Sequence, residues 1–169
     1  MDTQLSKDKA LDLAIKTLIA SGASEENAIP LANGIIQAEI DGIKSHGFHY
    51  LPIYCLHLSC KKVRGDASPQ KNHKSNVALS VDADNGFAHS AINKGLPLFY
   101  EMCAKQAISC MSVYNSYNCG VLGFHTKRIA EKGFVGLGFT NAPASIAPVG
   151  GVKPVVGTNP FSLAVPFDG

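Results

Sequence analysis

The sequence predicts an α/β protein in which a helical N-terminal segment, residues 1–75, precedes an α/β region, residues 76–169. Three observations carry that expectation. Apolar residues recur at helical spacing through residues 11–40. Short apolar runs at 77–81, 108–113, 134–139 and 161–165 are separated by helical stretches, an order that builds a sheet at least partly parallel. An apolar fraction of 46% with 17% charged residues supplies enough material for a core.

The elements follow in order. Leu11, Ala14, Ile15, Leu18 and Ile19 form one helical face that stops at Ser21 and Gly22. Ser24 is placed to cap a second helix, with Glu25 and Glu26 where acids suit the helix dipole. That helix tolerates Pro30 near its start and ends near Asp41 and Gly42. A third short helix runs through Ile53, Leu56 and Cys60. Residues 61–75 are polar and aperiodic, and read as a loop. Residues 77–81 read as a strand and 82–86 as a turn. Residues 88–107 read as a helix with Gly95 and Pro97 as weak points, and 108–113 as a strand. Residues 120–132 form a helix closed by Gly133, 134–139 a buried strand and 161–165 another. The last strand runs into a turn signal at the end of the chain, so the sheet looks interrupted and the chain reads as the front part of a larger protein.

Charge and composition exclude several function classes. Lys plus Arg is 15 and Asp plus Glu 13, a balance too even to expect a nucleic-acid partner. No apolar run reaches the ~18 residues of a membrane span, and the polar N-terminus is not a secretory signal. Five Cys, with no CxxC pair, signal neither a disulfide framework nor a zinc clip, and predict a reduced, cytoplasmic setting. His46 and His49 share a short spacing but lack a supporting ligand, so no metal site is expected.

Three segments could carry chemistry. The first is DGIKSHG at residues 41–47, where His46 sits between Ser45 and a flexible Gly47 and could act as acid or base near neutral pH. The second is YNSYNCG at residues 114–120, between a strand and a helix, where α/β sheets collect ligands. Cys119 in it reads as a packing residue, since no His is near it in sequence. The third is the set of Gly/Pro loops at residues 139–160. There is no GxGxxG fingerprint and no phosphate loop, so a Rossmann fold is not indicated.

Together the stretches DGIKSHGFHYLPIY (41–54), VDADNGFAHSA (81–91), NSYNCGVLGFHTKRIAEKG (115–133) and FTNAPASIAPVGG with GTNPFSLAVP (139–166) resemble the malate/L-lactate dehydrogenase family, which is unrelated to Rossmann enzymes. The resemblance spans nearly the whole chain and corresponds to the N-terminal part of family members. It implies a helical N-terminal segment followed by part of an unusual mixed-sheet domain that binds NAD or NADP, so that residues 76–169 would be an incomplete dinucleotide and substrate domain. It implies hydride transfer between NAD(P)H and a small 2-oxo or 2-hydroxy acid, with a homodimer once the chain is complete.

By the same resemblance His46 matches the proton donor, and Ser45 positions it or the substrate. Tyr50, Asn118 and Ser116 fall at substrate-binding positions, and Gly120, Thr140, Asn141, Thr158 and Asn159 at cofactor-binding ones. The chain departs from the family pattern in two places. Tyr50 stands where the family has an Arg that grips a carboxylate, and Asn118 where it has a second His. These changes keep open the alternative of a non-catalytic truncated or degenerate relative that retains the fold or acts as a split subunit.

Overall fold

The computed structural model describes residues 4–167. Helix α1 (Lys7–Ala20) is capped by Ser6, whose hydroxyl accepts from the Lys9 N–H at 3.4 Å. Its apolar stripe buries Ala10, Ala14 and Leu18. Helix α2 (Glu25–Ile40) starts after Ser24, as the sequence indicates. The Ser24 hydroxyl accepts from the side-chain amide of Asn27 at 2.8 Å, not from a main-chain N–H. Helix α3 (Leu51–Ser59) begins with Pro52 in its first turn, where a missing N–H costs nothing. Leu18, Leu31, Ile35, Tyr54 and Leu58 of these three helices form the centre of one core with Val63 and Phe87 from the segments that follow.

A three-stranded sheet follows, in the order β1 (Gln70–Ser75), β2 (Ala78–Asp82), β3 (Cys110–Tyr114). Strand β1 corrects the loop expected over 61–75. All of its residues are exposed, so it carries no apolar alternation, and only backbone pairing with β2 defines it. The β1–β2 pair is antiparallel, from Gln70↔Asp82 to Ser75↔Ala78. Strands β2 and β3 are parallel, from Ala78↔Cys110 to Asp82↔Tyr114, and helix α4 (Ala88–Lys105) makes the crossover. Gly95 is a point of contact in α4 and does not interrupt it. A Cβ there would lie 2.4 Å from Met111 Sδ and 2.9 Å from Val81 Cγ2, so its absence lets the helix lie close on the sheet.

The chain divides into two compact units, Met1–Val121 and Leu122–Gly169. The boundary expected between residues 75 and 76 falls inside the first unit, where α4 packs on both the sheet and α2. The second unit holds helix α5 (Leu122–Ala130) and the antiparallel pair β4 (Gly136–Phe139) and β5 (Phe161–Ala164), in register Gly136↔Ala164 to Phe139↔Phe161. Thr126 on α5 and Ser162 on β5 share a hydroxyl hydrogen bond of 2.7 Å. The buried strand expected at 134–139 is corrected by its exposure. Only Gly136 is buried, while Leu137 and Phe139 are 58% and 74% exposed. The physical reason is the period of two: Gly136 and Gly138 lie against α5, so Leu137 and Phe139 stand on the opposite face.

Candidate functional site

The segment after α2 is shaped by local hydrogen bonding. Asp41 and Gly42 end the helix, with Gly42 at φ +74°, and the Ile43 N–H returns to the Ala38 carbonyl at 2.8 Å. A single 3-10 turn, Lys44–His46, follows. The Ser45 hydroxyl lies 3.0 Å from His46 Nδ1, which orients the ring and leaves Nε2 outside that bond. His46 is half-buried and Ser45 exposed.

Glu39 anchors this turn. Its Oε1 accepts from the Phe48 main-chain N–H at 2.6 Å, nine residues on. Gly47 makes room for that carboxylate: a Cβ on Gly47 would lie 2.2 Å from Glu39 Oε1.

From His46 a ladder of rings leads into the first unit. The His46 and Tyr50 rings are nearly parallel, 14° apart with centroids at 6.4 Å. Tyr50 meets Tyr54 edge-on at 4.9 Å, and Tyr54 meets Tyr117 at 6.2 Å and Phe87 at 5.9 Å. The Tyr117 hydroxyl is hydrogen-bonded to His57 Nδ1. Burial, reinforced by Tyr50, pushes the Tyr117 hydroxyl up to about 12, and burial raises Tyr54 further still. Both phenols are therefore neutral hydrogen-bonding groups at physiological pH.

Asn118 joins this cluster. Its Oδ1 accepts from the Gly120 N–H at 2.6 Å and from the Tyr54 hydroxyl at 3.4 Å. Gly120 has φ +64°, and a Cβ on it would lie 3.0 Å from Nε2 of the buried His89, so both backbone and space call for glycine. The loop is held from below: the Asn115 side chain donates to both oxygens of Asp82 at 3.2 Å, and the Tyr117 N–H donates to the Gly86 carbonyl at 2.8 Å. Ser116 is exposed at the tip, and Cys119 is half-buried.

The structure thus brings His46, Ser45, Tyr50, Asn118 and Gly120 into one connected cluster of the first unit. Thr140, Asn141, Thr158 and Asn159 lie in the second unit, where the chain continues beyond β4 and precedes β5. The Thr140 N–H donates to the Pro160 carbonyl at 3.3 Å, and Asn159 Oδ1 accepts from the Ala142 N–H at 2.8 Å. These two strand extensions carry hydroxyl and amide groups, and Lys153 is the one charge between residues 140 and 160.

Sequence reasoning missed Glu39, Tyr54, His57 and His89. Glu39 had a visible signal, a carboxylate in an otherwise apolar helix end eight residues before Gly47. The other three depend on partners more than thirty residues away. Among the described residues no group of three or more His, Cys, Asp or Glu is placed to hold a metal ion. No helix of the described residues is long and apolar enough to cross a membrane.

The sequence profile of malate/L-lactate dehydrogenases matches residues 5–169. The chain belongs to that family. It is 34% identical over 169 residues to a (2R)-3-sulfolactate dehydrogenase (NADP(+)) of Chromohalobacter salexigens, covering 100% of this chain and 50% of that one. It is 33% identical over 175 residues to a malate dehydrogenase of Pyrococcus abyssi, covering 98% of this chain and 46% of that one. The crystal structure of Δ1-piperideine-2-carboxylate reductase from Pseudomonas syringae matches with a TM-score of 0.93 at 28% identity, over 98% of this chain and 50% of that one. The chain spans about half the length of the curated relatives it matches. The mixed α/β architecture expected from the sequence is the architecture of this dehydrogenase family.

Proposed function

We propose that this chain carries the substrate-protonating part of an NAD(P)-dependent oxidoreductase that interconverts small 2-oxo and 2-hydroxy acids. The observation that carries the reading is His46, held through Nδ1 by Ser45 at 3.0 Å on a turn tied down by Glu39. When a 2-oxo carbonyl is reduced, its oxygen gains charge as the carbon gains hydrogen. A positioned imidazole meets that charge with a proton. His46 Nε2 gives the proton in reduction and takes it back in oxidation.

The neighbouring groups bind and orient. The Tyr50 hydroxyl offers a substrate carboxylate one neutral hydrogen bond, where an Arg would offer two charged ones. Asn118 commits its Oδ1 to Gly120 and Tyr54, which turns its amide N–H groups to the role of donors toward a substrate oxygen. Ser116, exposed beside them, supplies a further hydroxyl. A nicotinamide dinucleotide, NAD or NADP, supplies or accepts the hydride when bound. Gly120 and the uncharged groups of Thr140, Asn141, Thr158 and Asn159 fit the neutral, hydrogen-bonding parts of such a cofactor. Relatives named as a (2R)-3-sulfolactate dehydrogenase (NADP(+)) and as a malate dehydrogenase support this class of substrate and cofactor. A cytoplasmic homodimer completes the proposal.

The test is an activity assay on a full-length protein containing this chain. NADH and NADPH oxidation is followed by absorbance with pyruvate, oxaloacetate and sulfopyruvate. Saturable turnover with at least one acid is expected. No turnover with any of them, in a folded protein that binds NADH, would favour the non-catalytic relative.

A further inference from the structure

His57 has no part in the chemistry described so far, yet its ring is tied to the His46 cluster. It lies half-buried on α3, and its Nδ1 is hydrogen-bonded to the Tyr117 hydroxyl. The two rings meet edge-on with centroids at 5.5 Å. The Tyr117 side chain has a second hydrogen-bonding neighbour in Tyr50, and that contact favours its protonated form. His57, Tyr117 and Tyr50 thus form a chain of three polar groups that ends at the Tyr50 hydroxyl, and the Tyr50 ring lies beside that of His46. Tyr54 packs edge-on against both phenol rings but stays out of the chain, because its hydroxyl donates to Asn118 Oδ1 at 3.4 Å. The other titratable groups facing these phenols are Cys60, Cys119 and His46. Cys60 donates to the His57 carbonyl at 3.8 Å and leaves the imidazole to Tyr117.

A chain of hydroxyls has a direction, because each phenol has one proton to give. If His57 Nδ1 carries hydrogen, it donates to the Tyr117 oxygen. Tyr117 then donates to Tyr50, and the Tyr50 proton points out of the chain. If Nδ1 is bare, Tyr117 donates to it and Tyr50 donates to Tyr117. Tyr50 then presents only lone pairs, which repel a carboxylate. The favouring of protonated Tyr117 by Tyr50 agrees with Tyr117 as the donor of that pair, the first direction.

We infer that His57 is a positioning residue for the substrate carboxylate: hydrogen on its Nδ1 sets the Tyr117 and Tyr50 hydroxyls in the direction that aims the Tyr50 proton at the acid. The inference rests on the reading of Tyr50 as a substrate-binding group. It makes the Nδ1–H form of His57 a condition for binding an anionic acid. A neutral amide is indifferent to it, since an amide meets Tyr50 with its oxygen in one direction and with its N–H in the other.

The test uses a full-length protein containing this chain. Nitrogen-15 spectra of the imidazoles read the tautomer directly, and His57 is expected to carry hydrogen on Nδ1. Steady-state kinetics then use whichever of pyruvate, oxaloacetate and sulfopyruvate is turned over best, with pyruvamide as the neutral comparison. His57→Gln keeps an N–H donor and should leave KM for the acid within about threefold of the parent. His57→Glu can only accept, and should raise that KM about tenfold or more while KM for pyruvamide stays within about threefold. Adding Tyr117→Phe to the His57→Glu variant breaks the chain, frees the Tyr50 proton and should restore most of the lost affinity for the acid. A bare His57 Nδ1, an unchanged KM in His57→Glu, or a raised KM that Tyr117→Phe does not relieve would each overturn the inference; the last would mean that the introduced charge acts through space. A parent that turns over none of the acids would overturn the reading of the whole site, whereas these three results in an active parent overturn the role of His57 alone.

Discussion

Gly47→Ala tests whether Glu39 holds the histidine-bearing turn. The added methyl would lie 2.2 Å from Glu39 Oε1, 2.6 Å from Cδ and 2.8 Å from Cγ. Glu39 is a flexible side chain and can swing away, so the steric conflict alone is cheap to relieve. The cost lies in what it leaves behind: the half-buried Phe48 N–H, which now donates to Oε1 at 2.6 Å, loses its charged acceptor. Hydrogen bonds to charged groups contribute ~1.5–3 kcal/mol, so a loss of about 2 kcal/mol is expected. Glu39→Gln keeps an acceptor without the charge and should lose about 1 kcal/mol. Urea unfolding reads the stability. Amide hydrogen exchange at Phe48 reads the local effect, expected to accelerate about thirtyfold where opening is local. A Gly47→Ala protein within ~0.5 kcal/mol of the parent, with Phe48 still protected, would refute the anchoring role of Glu39.

Gly120→Ala should cost about 2 kcal/mol or more by urea unfolding, because φ +64° is unfavourable for alanine and the methyl meets His89 Nε2 at 3.0 Å. Gly133→Ala, with φ +83° and nothing within 4 Å, isolates the backbone share and should cost less. Tyr117 is held protonated in the folded state up to about 12, above the ordinary tyrosine value. The stability it contributes is fully present below pH ~10 and is lost as pH rises from there through ~12, since the unfolded chain ionises first. Tyr117→Phe should flatten that alkaline decline, and an unchanged profile would mean that Tyr117 is not the group responsible. Tyr50→Arg in a full-length protein should tighten 2-oxo acid binding by ~1–2 kcal/mol, read as a lower KM; no change would place Tyr50 away from the substrate.

Helices α1 and α2 were legible because their apolar spacing runs between clear stops, Ser21–Gly22 and Asp41–Gly42. Strands β2 and β3 were legible as apolar runs with a helix between them. Strand β1 was not, because Gln70–Ser75 buries nothing and exists through its pairing with β2. For β4 the apolar run was legible and its burial was not, since glycine occupies the face that packs and Leu137 and Phe139 the face that does not. At the site, His46 and Ser45 are adjacent in sequence, and their hydrogen bond follows from a single turn. The link from Tyr54 to Asn118 spans 64 residues, and that from His57 to Tyr117 spans 60. No local pattern encodes such pairs. They arise when the loop after β3 folds over α3.

His46 as the proton donor is the centre of the proposed chemistry. The measurement is steady-state turnover of His46→Ala in a full-length protein, beside fluorescence titration of the same variant with NADH. The expected result is a loss of kcat of about 10²–10⁴ with cofactor binding unchanged, as removal of a general acid requires. Turnover within a few-fold of the parent would contradict the claim and move the proton donor elsewhere in the protein.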